Sequence, residues 1–147
     1  MYEEILYAFI LGALPISEVR GAAIYAFSMG QPWLIIPGIL GNILACPAIL
    51  VLWDVINIPW FGKKILGSRV EAKMKQMGEK YQVYGMLGIA VFVGIPLPIT
   101  GVYSATLIAM LLQIRRAHIL QAAVIGVLAA AVIMYLALSG IFSFLPA

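Results

Sequence analysis

Three observations predict an all-α integral membrane protein built as an inverted-topology repeat. Of its 147 residues, 64% are hydrophobic and only 10% charged, against about 45–50% and about 25% in soluble domains. The mean hydropathy is +1.07, so there is too little polar surface to cover a water-soluble globule. Two apolar regions are long enough to span a bilayer, and two others break around a proline- and glycine-containing tip. These two tips match: Leu14-Pro15-Ile16-Ser17 and Leu97-Pro98-Ile99-Thr100 stand 83 residues apart.

The chain reads as a single membrane domain, 1–147, with repeat one over residues 1–59. Its N-terminus, Met-Tyr-Glu-Glu, lacks the basic flank and small-residue cleavage site of a secretory signal, so the segment is expected to stay in the mature protein. Residues 5–30 form a broken hairpin whose arms, roughly 10–14 residues each, reach little more than half of a 30 Å hydrocarbon core. That length suits a re-entrant helical hairpin. Residues 33–58 satisfy the rule of about 20 apolar residues for one transmembrane helix. Residues 60–83 form a linker in which Leu66, Val70, Met74, Met77 and Tyr81 recur at helical spacing between Lys, Arg, Glu and Gln. This predicts an amphipathic helix, lying on the membrane surface or acting as a solvated connector. Repeat two, residues 84–147, has a second hairpin at 84–114 and a transmembrane helix at 119–138.

A re-entrant hairpin returns to its starting side and the following helix crosses once, so the second unit starts on the opposite face. The basic residues fit this count. Lys63, Lys64, Arg69, Lys73, Lys75, Lys80, Arg115 and Arg116 then share one face, which the positive-inside rule makes cytoplasmic. The expected location is a cell membrane, crossed more than once, with both termini outside. Such a basic cluster beside a membrane encodes orientation, and no nucleic-acid partner is expected.

Chemistry concentrates at the tips. Glu18 and Arg20 are ionisable residues expected near mid-bilayer, where such groups mark substrate or proton routes unless they form a mutual salt bridge that only fixes the fold. Residues two apart do not face each other on a helix, so a direct pair requires an unwound tip. Ser17 and Thr100 both suit helix N-caps, and two helix N-termini meeting beside Arg20 favour an anionic group. Glu18 can then serve as counter-charge or as proton carrier. Asn42 is glue for the Pro47 kink or a site lining. Pro15, Gly21, Pro96, Pro98 and Gly101 set tip geometry. Trp33, Trp53, Trp60 and Tyr103 read as interface belt or packing, Asp54 as an interfacial residue. Cys46 and His118 are each the sole residue of their kind, which excludes an internal disulfide and a His/Cys zinc cluster; no metal or cofactor is expected.

The stretches Leu14-Pro15-Ile16-Ser17-Glu18-Val19-Arg20-Gly21, Gly41-Asn42 and Phe92-Val93-Gly94-Ile95-Pro96-Leu97-Pro98-Ile99-Thr100-Gly101 resemble the small multidrug export protein family, itself distantly similar to the DedA/VTT membrane proteins. The resemblance implies opposed re-entrant hairpins and a transport role. By way of the DedA proteins it extends to proton-linked handling of lipid-phosphate carriers. By position it favours Glu18, Arg20, Asn42, Pro98, Thr100 and Gly101 as the site.

The expected function is thus a small, proton-coupled transporter of an anionic or amphipathic substrate. The alternatives are a structural or scaffold protein and, less favoured, a lipid-phosphate enzyme. The last wants a nucleophile with a base, or a metal cluster, and the sequence offers neither; no catalytic residue is assigned. The lipid bilayer is the expected partner. Two spans and two hairpins are little material to enclose a pathway, so a homodimer is expected.

Overall fold

The computed structural model describes residues 2–55, 80, 82–96 and 101–144. Most of the linker at 60–83, together with Leu97, Pro98, Ile99 and Thr100, therefore lies outside the described residues. Among the described residues there is helix and no strand. In order these are α1 (Tyr2–Ala13), α2 (Glu18–Ser28), a single 3-10 turn (Pro32–Leu34), α3 (Ile35–Val55), α4 (Gln82–Gly94), α5 (Val102–Leu111) and α6 (Arg116–Phe144). Two stretches, Pro32–Val55 and Arg116–Gly140, are long and apolar enough to cross a membrane.

Local chemistry explains where the helices stop. Glu3 and Glu4 occupy the first turn of α1, where the N-terminal dipole favours negative charge. Pro15 has no N–H to continue that helix, and the break is short: Leu14 N–H still bonds to Ile10 O and Glu18 N–H to Leu14 O, both at 3.0 Å. Gly30, at φ +66°, lets the chain leave α2 in a left-handed conformation that glycine adopts at little cost. Pro47 sits inside α3 without ending it.

The ends of the helices fix their directions. Tyr7 of α1 stacks on Tyr25 of α2 at 5.8 Å, and the Ser17 hydroxyl donates to Leu11 O, so α1 and α2 form an antiparallel hairpin. At the start of α4, Gln82 Nε2 donates to Gln113 O at 3.2 Å and Gln82 Oε1 accepts from Arg115 N–H at 2.8 Å. The α4–α5 pair thus begins and ends at the same end of the molecule. Arg116 at the head of α6 bonds Asp54 at the foot of α3, at 2.5 Å, so the two long helices run antiparallel.

The hairpins are shared between the long helices. α1 and α2 both pack on α3, yet α2 also packs on α6, while α5 packs on α3 as well as on α6. These seams are built from small residues. A Cβ on Gly41 would stand 2.2 Å from Phe9 O, and one on Gly126 would stand 2.8 Å from Ala90 O; only glycine allows such backbone approach, the usual device of helix pairs in lipid. Ala8, Ala22, Ala23, Ala26, Ala109 and Ala122 are fully buried, whereas Leu40, Leu44, Leu52, Leu128 and Leu136 are exposed. On α6 the exposed positions Leu120, Val124, Leu128, Val132 and Leu136 recur every fourth residue, one face of a helix. Small residues inside and large apolar ones outside is the distribution expected where the solvent is hydrocarbon.

Candidate functional site

The tip of the first hairpin meets the start of α5. Glu18 opens α2 with φ +50°, a left-handed conformation that costs a residue bearing a Cβ roughly 1–2 kcal/mol. It departs from helical geometry at the point where a direct Glu18–Arg20 pair needs an unwound tip, and Arg20 Nη2 lies 3.6 Å from Glu18 Oε2. The Glu18 side chain then reaches across the hairpins. Its carboxylate accepts from the backbone N–H groups of Val102 and Tyr103, the first residues of α5. Gly101 is the N-cap of that helix and offers no side-chain cap bond. The cap comes from the other hairpin, and a Cβ on Gly101 would fall 1.8 Å from Glu18 Oε1. The sole side chain that fits there is none at all.

A second bond returns in the opposite sense: the Tyr103 hydroxyl donates to Ala13 O at the end of α1. Tyr103, read from the sequence as belt or packing, is thus part of the lock between the tips. The signal available was its place just inside the arm after Gly101.

Beside the pair is a small cavity of about 10 Å³, the room of about one water, lined by Glu18, Val19, Arg20, Asn42, Val93, Pro96 and Val127 among others. Asn42 and Val127 stand well inside α3 and α6, so Glu18 and the start of α5 meet in the interior of the bundle rather than at either end. Asn42 is 1% exposed, and among the described residues its Oδ1 has no hydrogen-bond partner. It therefore does not act through that oxygen as glue for the Pro47 kink; it lines the cavity. The other buried polar residue, Thr106, donates to Cys46 Sγ at 3.5 Å.

Of the residues expected at the site, Glu18, Arg20, Asn42, Gly101 and Pro96 come together. Thr100 and Pro98 lie outside the described residues. Pro15 forms the turn before Ser17, and Gly21 leaves room for the Ser17 side chain, since a Cβ there would fall 2.4 Å from Ser17 Cβ. Ser17 itself is a correction. It makes no side-chain cap bond to α2. At φ −91° and ψ −46° it is already helical, whereas an N-cap needs extended backbone to aim its hydroxyl at the next free N–H groups; the hydroxyl turns back to α1 instead. Asp54 pairs with Arg116 at the far end, away from the tips. Among the described residues no group of three or more His, Cys, Asp or Glu could hold a metal ion.

Fold and site together define a small, all-helical membrane protein with an ion pair and a small cavity where the turn before α2 meets the start of α5. The chain belongs to the family described as Putative small multi-drug export protein, which it matches over residues 18–133. No curated protein matches the chain, and no solved structure does.

Proposed function

We propose that the protein is a proton-coupled transporter whose substrate, an anionic or amphipathic molecule, passes the junction of the two hairpin tips. The observation that carries this reading is the burial of Glu18 and Asn42 with the half-buried Arg20 beside them, three polar residues in the interior of an apolar bundle. Ionisable groups at such depth are costly and mark transport routes. A purely structural pair needs neither the cavity nor the unpartnered Asn42 oxygen. The family's export description points the same way; a lipid-phosphate carrier as substrate rests only on the distant resemblance drawn from the sequence. On this reading the substrate is moved without any change of its bonds.

The topology belongs to the proposal. Hairpins α1–α2 and α4–α5 enter from opposite leaflets as an inverted repeat. Support comes from the exchange of partners, α2 on α6 and α5 on α3, and from the antiparallel course of α3 and α6. The end bearing Asp54, Arg115 and Arg116 faces the cytoplasm with the basic linker. A homodimer completes the pathway, and light scattering in detergent with the micelle mass subtracted tests it.

Function is tested in proteoliposomes, comparing a polyprenyl phosphate with an organic cation, each with and without a pH gradient. Gradient-dependent movement of the anion is expected, lost in Glu18→Gln while the folded protein still accumulates. Undiminished transport by that variant removes the proton-coupled reading. Normal cell function after replacing Glu18 and Arg20 together by apolar residues favours a scaffold.

A further inference from the structure

Glu18 sits where an external anion would bind. Its carboxylate takes the N–H groups of Val102 and Tyr103 at the head of a ten-residue helix and lies 3.6 Å from the Arg20 guanidinium. Two main-chain donors at a helix N-terminus plus a guanidinium are the donor set that recognises carboxylates, sulfonates and phosphates. With Glu18 ionised this set is occupied from within. The same cavity is lined by an acceptor that has no donor among the described residues, Asn42 Oδ1, on a residue 1% exposed. A buried amide oxygen calls for a hydrogen. The other walls include Val19, Val93, Pro96, Val127 and Ala130, which have no side-chain hydrogen to give.

We propose that Glu18 is a displaceable occupant of an anion site and that Asn42 receives it. On taking up one proton the carboxyl leaves the Val102 and Tyr103 N–H groups and Arg20, and its O–H donates to Asn42 Oδ1. The freed donors then hold one anionic headgroup. The site's charge is the same in both states: carboxylate with guanidinium before, bound anion with guanidinium after. In a low-dielectric interior an unpaired charge is strongly disfavoured, so entry of the anion requires the proton and the two are coupled one to one. Among the described residues the titratable or charged groups facing Glu18 are Arg20 from α2 and Tyr103 from α5; α3 contributes the amide of Asn42, and α4 and α6 contribute apolar walls. This coupling rests on the transport reading above and names the substrate class and exchange rule of that same site.

The test is calorimetric binding of decanesulfonate, whose charge is constant across the range used, to the full chain in neutral phosphatidylcholine nanodiscs, with empty discs subtracted. Repeating it in buffers of different ionisation enthalpy counts protons. The wild-type protein should take up one proton per anion, with affinity rising about tenfold per pH unit of acidification while Glu18 is ionised in the unliganded protein. Glu18→Gln should bind at least as tightly as the wild type does at low pH, with no proton uptake and no pH dependence. Asn42→Leu should keep the proton uptake but bind about tenfold more weakly at a given pH, a shift of the profile by about one unit. Methanesulfonate in place of decanesulfonate separates recognition of the headgroup alone from recognition of an amphiphile. Proton-independent binding by the wild type overturns the proposal without needing any variant. Loss of binding in a folded Glu18→Gln overturns it too, since the carboxylate would then be a ligand and not a competitor. An Asn42→Leu profile that superimposes on the wild type overturns the role of Asn42. Proton-driven flux in the proteoliposomes alongside proton-independent binding would sink the exchange rule and leave the transport reading standing. Absence of flux with every substrate sinks the latter.

Discussion

The α1–α2 and α4–α5 pairs bring different groups to the place where they meet. The first supplies side chains: Glu18 and Arg20 at its tip, with a strained backbone at Glu18 that turns the carboxylate outward. The second supplies main chain: the Val102 and Tyr103 N–H groups, exposed for contact because Gly101 has no Cβ. Each hairpin lacks what the other provides. A helix start without a side-chain cap and a carboxylate in an apolar bundle are both unfavourable alone, and together they satisfy each other. The helix packing itself rests on glycine and alanine seams, such as those at Gly41 and Gly126.

Breaking the seam should have the largest effect. Gly41→Leu drives a side chain into Phe9 O and should prevent hairpin one from docking on α3, read as loss of the monodisperse peak in detergent gel filtration. At the tip, an asymmetry between the partners is expected. Glu18→Ala leaves the half-buried Arg20 guanidinium without its partner and uncaps α5, and should cost about 2–3 kcal/mol. Arg20→Met should cost less, because the carboxylate keeps its two N–H donors; unfolding in mixed micelles orders the two, and equal losses would show that the main-chain bonds to Glu18 carry no weight. Tyr103→Phe removes a single cross-hairpin bond and should cost about 0.6–1 kcal/mol by the same measurement. The smallest effect sharpens the contrast with Gly41. Gly88, on α4, has nothing within 4 Å of a Cβ, so Gly88→Ala should stabilise by roughly 0.5–1 kcal/mol through helix propensity alone.

Much of the architecture was legible in the linear pattern. Long apolar runs gave the two helices able to span, and Pro15 and Pro96 marked the interruptions, since proline ends a helix whatever surrounds it. That a direct Glu18–Arg20 pair needs an unwound tip followed from the spacing of two residues; whether the two would pair at all did not. The reach of α6 did not. It begins at Arg116 and continues to Phe144, beyond the span read as 119–138, because hydropathy weighs side chains whereas helix continuity depends on backbone bonds. Ser17 was misread as a cap because residue type suggests capping while only φ and ψ decide it.

The sequence by itself determined the solvent this protein is made for and the places where its helices break, since both depend on composition and on residues whose constraints are local. Tertiary structure alone decided what the polar residues do. Whether Glu18 meets lipid, Arg20 or another helix, and whether Asn42 is satisfied, depends on which segments far apart in the chain are packed side by side. That is settled by backbone approach at Gly41 and Gly126 and by the room Gly101 leaves for the Glu18 carboxylate, properties of packed pairs of segments that no single stretch of sequence displays.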